Sequence, residues 1–279
     1  MAVDVADLAA APAKDEAAAT PDVPRHPLMR RLRLWLFWFA IIALLAWAWS
    51  PAEMYRAVGL IHDWRNMAEF GSAFLRPNFH DADSYLADMV VTVEIAAWGT
   101  ALAVLFGVPF SILCAANICP VLIVQPVRRL MDACRAINEI VFALMFVVAV
   151  GLGPFAGVMA LAVHNLGVFA KLFSEAVESI DPRPVEGIRA TGAGRIQEVI
   201  FGVIPQVAPL WSSLTLYRLE TNVRSATTLG IVGAGGIGQT LYESIRSFQY
   251  AETAAQVIIV VVTVIAIDLL SARLRKALI

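Results

Sequence analysis

The sequence predicts an all-α integral membrane protein of about six transmembrane helices, with both termini in the cytoplasm. Three observations carry that expectation. The chain is 59% hydrophobic and only 16% charged, with a mean hydropathy of +0.71, whereas a soluble domain is about half apolar and a quarter charged. Long runs free of charge recur along the chain, several of them near the ~20 residues that cross a bilayer as helix. Finally, 15 of the 21 Lys and Arg residues fall where six spans would place the cytoplasm, four fall outside and two lie within the fifth span. Such an excess marks the cytoplasmic side.

The elements follow in order. Residues 1–24 are rich in Ala, Asp and Pro without an apolar core, which suits a disordered cytoplasmic tail. The segment 25–50 holds Arg25, Arg30, Arg31 and Arg33 before the run Leu34–Trp49, whose ends carry Trp35, Trp38, Trp47 and Trp49. Those aromatics suit interfacial anchors, and the tryptophans near Ser50 disfavour a cleaved signal sequence. Residues 51–86 are mixed and polar, a periplasmic segment. The five-helix core spans 87–272: Met89–Ile118 with Pro109 inside, Ala136–Leu152, Phe155 to about Phe173, about Gln206 to Leu229, and about 252–272. Arg128, Arg129 and Arg135 are expected in the cytoplasmic loop between the second and third spans. Residues 273–279 form the cytoplasmic C-terminus.

Composition also excludes functions. A net charge of −2 with no basic patch interleaved with aromatics argues against a nucleic-acid partner. Cys114, Cys119 and Cys134 match no zinc spacing and read as small apolar residues. No metal site and no Ser/His/Asp or Cys/His constellation appears, so the chain reads as a non-enzyme.

Gly233–Gly238 fits the dinucleotide pattern G-x-G-x-x-G, but that pattern has meaning only between a strand and a helix. It also approaches a P-loop, yet Gln239-Thr240 follows where the phosphate-binding Lys-Ser/Thr is needed. The chain itself therefore lacks the means to hydrolyse ATP. A close-packed turn between spans is the simpler role.

The fifth span is unusually polar, reading Tyr217-Arg-Leu-Glu-Thr-Asn-Val-Arg-Ser-Ala-Thr-Thr228. Ionisable groups at membrane depth cost roughly 2.5–3.5 kcal/mol each on insertion scales and normally face a cavity or one another. Arg218, Asn222 and Ser225 form a polar row, and Glu220 and Arg224 are spaced to pair on one helix face. Two readings stand: a structural network that locks helices, or a translocation pathway lined by Arg218, Glu220, Asn222, Arg224 and Ser225 for an anionic substrate. His164-Asn165 in the fourth span reads as an interhelical hydrogen-bonding pair, and Glu94, Glu139 and Asp268 as groups near helix ends or facing other helices.

The most distinctive segment precedes the fifth span. From Glu186 it reads Glu-Gly-Ile-Arg-Ala-Thr-Gly-Ala-Gly-Arg, with Gly192 six residues on and Pro205 thirteen beyond that. It resembles the "EAA" loop of ABC-importer permeases. Together with Thr92-Val-Glu-Ile-Ala, Gly151–Gly157, Lys171–Glu178 and Tyr217–Gly230, it makes residues 85–250 similar to the permease of a phosphonate ABC importer. The Gly-Ala-Gly-Gly-x-Gly-Gln run is similar to methionine and phosphonate importer permeases. The resemblance implies a type I ABC importer permease fold in a bacterial inner membrane. It implies an ATPase-coupling loop at 181–205, with Glu186 opening a short helix, then Gly187, Arg189, Ala190, Gly192, Ala193 and Arg195, and Pro205 opening the fifth span. It implies a second copy of the permease, an ABC ATPase dimer that binds ATP and Mg, and a periplasmic or lipid-anchored binding protein, with no cofactor on this chain. The cargo implied is phosphonate, phosphite or phosphate. Two departures appear: Gly187-Ile188 where the wider superfamily has Ala-Ala, and Asn138 where relatives often have proline, which is expected to straighten the start of the third span. Methionine or betaine-type permeases are the competing reading, favoured less because Arg218 and Arg224 suit an anion. A secondary transporter would show repeat halves with broken helices, and a membrane enzyme would need a reactive cluster.

Overall fold

The computed structural model describes residues 28–56, 59 and 64–278; the tail 1–24 lies outside them. Two units form, one up to Arg65 and one from Asn66. The first holds α1 (Leu28–Ala48), whose stretch Arg31–Ala48 is long and apolar enough to cross a membrane. A 3₁₀ turn follows at Met54–Arg56. The boundary between the units falls in α2 (Trp64–Phe74).

The second unit is a bundle of helices: α3 (Ala82–Cys114), α4 (Val121–Ala136), α5 (Glu139–Val150), α6 (Pro154–Glu178), α7 (Pro182–Ala190), α8 (Arg195–Glu198), α9 (Ile204–Gly230), α10 (Ile237–Arg246) and α11 (Tyr250–Leu278). Helices α3, α6, α9 and α11 are membrane spans, the third of these running without interruption from Arg195 through a π-turn at Val199–Val203. Among the described residues five helices qualify as spans, or six when α4 and α5 count as one bent span. That is the expected all-α architecture.

Helices α3 and α6 pack most closely because small residues line the seam. A Cβ on Gly99 would sit 2.7 Å from the Leu161 side chain, and one on Gly107 would sit 3.0 Å from that of Phe169. With no hydrophobic drive between helices in lipid, such close approach is how they adhere. Toward one end, Phe173 stacks on Trp211 with centroids 4.8 Å apart, and Phe169 lies tilted against Phe173 at 5.1 Å. The outer half is filled by Ile95, Leu161, Val223, Leu229 and Ile237.

The structure differs from the sequence reading in four places. The second span begins at Ala82 rather than Met89, because its first turns (Asp83, Ser84) are helical but polar and no hydropathy run reveals them. The expected cytoplasmic loop carrying Arg128, Arg129 and Arg135 is mostly helix α4. Its backbone lies against α6 at Gly167, where a Cβ would meet Met131 O at 2.5 Å and Arg135 N at 2.7 Å. Gly167 is near the middle of α6, so the C-terminal half of α4 climbs into the bundle while Arg128, midway along it, pairs with Glu178 at the end of α6. Asn138 does not straighten the third span: its side chain accepts from the Ile140 N–H at 2.9 Å, capping α5, and the chain turns by 88° there. Side-chain capping of this kind satisfies N–H groups that a new helix leaves open. Lastly, Gly233–Gly238 leads into helix α10, which the sequence reading left unassigned. Gly233, Gly235 and Gly236 adopt φ of +86°, +79° and +75°, and a Cβ on Gly238 would stand 1.8 Å from Thr227 O. Positive φ and backbone contact both require glycine here, so this is a close-packed turn.

Candidate functional site

The loop 181–205 is built from two short helices and a π-turn. Asp181 accepts from the Arg183 N–H at 3.0 Å and Pro182 occupies the first turn, a standard start for α7. Glu186 therefore lies inside this helix and does not open it, a correction to the sequence reading; the Asx cap and proline upstream outweigh the glutamate. Val185 and Ile188 face inward, within 3.2–3.3 Å of a Cβ placed on Gly202. Arg183, Glu186, Gly187 and Ala190 are exposed. No atom lies within 4 Å of a Cβ on Gly187, and Gly192 turns the chain at φ +86°. Ala193 is half-buried in that turn, and Arg195 starts α8, where Gln197 accepts from the Gly194 N–H at 2.9 Å. Pro205 sits in the first turn of α9, as expected, although the helical path already begins in α8.

Arg189 and Glu198 close the loop with two hydrogen bonds, each 2.9 Å, from Nε and Nη2 to the two carboxylate oxygens. That bidentate geometry is the strong form of the pair. The hydrogen bond and the charge of Glu198 push the Arg189 guanidinium above its usual range. Beneath the loop lies a cavity of about 200 Å³ lined by Asn117, Val185, Arg189, Arg195 and Glu198 among others. The turn 115–120 is held to the end of α6: Glu178 accepts from the Ala116 N–H at 2.7 Å and pairs with Arg128, and Asn117 donates to Val177 O at 2.8 Å. The sequence reading missed Glu198 and Asn117, since neither stands at a periodic spacing from Glu186.

The polar span α9 sorts its residues onto two faces. Asn222 is buried at 2% exposure, donating to Thr100 Oγ1 at 2.8 Å and accepting from Asn165 Nδ2 at 3.0 Å. It stitches α3, α6 and α9 together and faces no open surface. Asn165 is thus the interhelical partner expected, and such bonds average about 0.6 kcal/mol in membrane proteins. Most hydroxyls are satisfied within the helix itself; Ser212, Thr215, Thr221 and Thr227 each donate to the carbonyl four residues back. The opposite face is different. Tyr217, Thr221, Arg224 and Thr228 follow one another at helical spacing and are exposed or half-exposed. Arg224 lies 3.6 Å from Glu220, with 63% of its side chain exposed. Arg218 is half-buried beside this row and makes no ion pair among the described residues, though the Glu139 carboxylate acts on it electrostatically. Ser225 donates to Glu139 at 2.9 Å.

A polar face on a membrane span and a capped, glycine-turned loop between spans accord with a transport permease. The chain belongs to the family of binding-protein-dependent transport system inner membrane components, whose model matches residues 107–279. It is 36% identical over 239 residues to the phosphite transport system permease protein PtxC of Stutzerimonas stutzeri, covering 85% of this chain and 86% of that one. Escherichia coli K12 PhnE2, named for a cryptic phosphonate transport system, is 59% identical over 118 residues, 42% of this chain and 97% of that one. Among solved structures, the fold is similar to the inward-facing MetNI methionine ABC transporter, with a TM-score of 0.61 at 21% identity over 70% of this chain and 95% of that one.

Proposed function

We propose that this permease imports a phosphonate or a related phosphorus oxyanion such as phosphite or phosphate, driven by ATP hydrolysed on a separate ABC ATPase dimer that binds ATP and Mg. The observation that carries the reading is the exposed row Tyr217, Thr221, Arg224 and Thr228, with Arg218 beside it, on a helix that crosses the membrane. A guanidinium 63% exposed at that depth is too costly to leave against lipid. A second copy of the chain, facing the first across a water-filled space, accounts for it. An oxyanion in that space exchanges part of its hydration for charge-assisted hydrogen bonds. Glu220, paired to Arg224, tempers the positive potential so that the anion is released. Asn222 and Asn165 are the frame of this path rather than its lining.

The loop 181–205 supplies the coupling. Arg183, Glu186, Gly187 and Ala190 form the outer face of α7, and we assign that face to a groove on the ATPase. A periplasmic or lipid-anchored binding protein delivers the cargo. The relatives named for phosphite and phosphonate transport support the substrate class. The test is uptake of radiolabelled phosphite or methylphosphonate by proteoliposomes holding the assembled complex. Arg218→Ala is expected to lower uptake at least tenfold while the complex still assembles, about the weight of one charge-assisted contact. Wild-type uptake in that variant would make the arginine idle and remove the basis for an anion path.

A further inference from the structure

Hydroxyls on the exposed face of α9 are of two kinds. Thr221 spends its hydrogen on Tyr217 O at 3.2 Å, and Thr228 spends its own on Ser225 O at 2.7 Å. A hydroxyl has one hydrogen to give, so neither donates outward. Ser213 and Tyr217 differ. Their side chains make no hydrogen bond among the described residues, Ser213 being half-exposed and Tyr217 54% exposed. They stand four residues apart, hence on one helix face, and they continue inward the row that Thr228 and Arg224 begin further out.

Tyr217 is the central residue of the 27-residue helix, about 20 Å from either end at the rise of an α-helix. Tyrosines that anchor a span sit near its ends, where the hydroxyl reaches the headgroup level. A phenol in the middle has no headgroup to reach, and a polar hydrogen left without a partner in hydrocarbon is costly. Its hydroxyl therefore faces water or cargo, on the same face as the exposed guanidinium of Arg224.

We propose that the Tyr217 and Ser213 hydroxyls form a second, uncharged station of the translocation path, donating hydrogen bonds to oxygens of the phosphorus oxyanion after it leaves Arg224. Seven residues separate Arg224 from Tyr217, about 10 Å along the axis, too far for one small anion to hold both. Phosphite and phosphonates present three oxygens on one phosphorus, enough for both hydroxyls at once. Hydrogen bonds from a neutral donor are about half as strong as those from a charged one, so the inner station holds the anion loosely and passes it toward the cytoplasm. A two-fold axis along the membrane normal brings equivalent residues of two copies to one depth. Each station is then a matched pair of donors, arginine outside and phenol within.

The assignment deepens the reading of α9 as an oxyanion path and rests on it. Its test is the maximal rate of phosphite uptake by proteoliposomes holding the assembled complex. Tyr217→Phe and Ser213→Ala each remove one neutral donor and are expected to lower that rate roughly three- to tenfold, with assembly and thermal midpoint unchanged. Ser212→Ala is the control, because the Ser212 hydroxyl already donates to Ala208 O at 2.8 Å; it is expected to match the parent. A second arm needs no cargo. With Cys114, Cys119 and Cys134 replaced, Ser213→Cys in the assembled complex is expected to react with a water-soluble methanethiosulfonate. Parent-like uptake in Tyr217→Phe or Ser213→Ala, an equal loss in Ser212→Ala, or an unreactive Ser213→Cys overturns this proposal while the oxyanion reading stands. A parent complex that takes up no phosphorus oxyanion defeats that reading, and this proposal with it.

Discussion

Arg189 and Glu198 are nine residues apart in sequence, yet their two parallel hydrogen bonds fix the shape of the loop. The pair lies at the surface, so its contribution is that of a well-aligned exposed ion pair and no more. Glu198→Gln keeps the volume and removes the charge. Hydrogen exchange at the amides of residues 189–198 is expected to quicken roughly two- to fivefold, the range of such pairs, with exchange in α6 and α9 unchanged. Uniform exchange across the loop in the variant would mean that α7 and α8 hold their angle by packing alone. The residues of this loop were only partly legible in the sequence. Gly192, Gly187 and Pro205 stand out as local backbone signals, whereas Glu198 has an ordinary identity at a non-periodic spacing. Likewise Asn222 reads as lining because it falls in a row with Arg218 and Ser225, and only the positions of Thr100 and Asn165 on other helices turn it inward.

Between elements, the seam of α4 and α6 is set at Gly167, where any side chain meets main-chain atoms of α4 rather than a flexible side-chain end. Gly167→Leu is therefore expected to lower the apparent thermal midpoint of the purified permease, at a cost of about 1–3 kcal/mol for overpacking. Gly187→Leu is the control, since a Cβ there meets nothing within 4 Å. Equal midpoints for both variants would show that α4 does not dock at Gly167. The long spans α3, α6 and α11 were readable from hydropathy because each is a continuous apolar helix, and α9 because the rod Arg195–Gly230 keeps an apolar 18-residue stretch despite its polar row. Helix α4 was not, since Arg128, Arg129, Asp132 and Arg135 interrupt the apolar run and mimic a loop. They are tolerated because they pair with one another and with Glu178. The 88° turn at Asn138 was equally hidden: a capping asparagine in a span looks like any polar residue until the helix on either side is seen.

At the scale of the molecule, one polar helix runs from the coupling loop to the outer end of the bundle. The π-turn and α9 are continuous with α8, and the inner residues of α7 pack on Gly202 at the start of that rod. Under the proposed coupling, a displacement of the loop by a bound ATPase would pass along this rod to the face carrying Arg218 and Arg224. Class and fold were open to the sequence, because an apolar excess, alternating basic loops and the Glu186–Pro205 spacing all agree. The identity of the cargo rests instead on the chemistry of one helix face. The measurement that bears on it most directly is accumulation of labelled phosphite, methylphosphonate and methionine, side by side, in proteoliposomes containing the permease, its ATPase and its binding protein. Gly192→Trp, which strains a residue held at φ +86° beside open space, serves as the uncoupled variant. The expected result is ATP-dependent accumulation of a phosphorus oxyanion but not methionine, with ATP still hydrolysed yet uptake lost in Gly192→Trp. Accumulation of methionine in place of the oxyanions, or full oxyanion uptake by Gly192→Trp, would contradict the account.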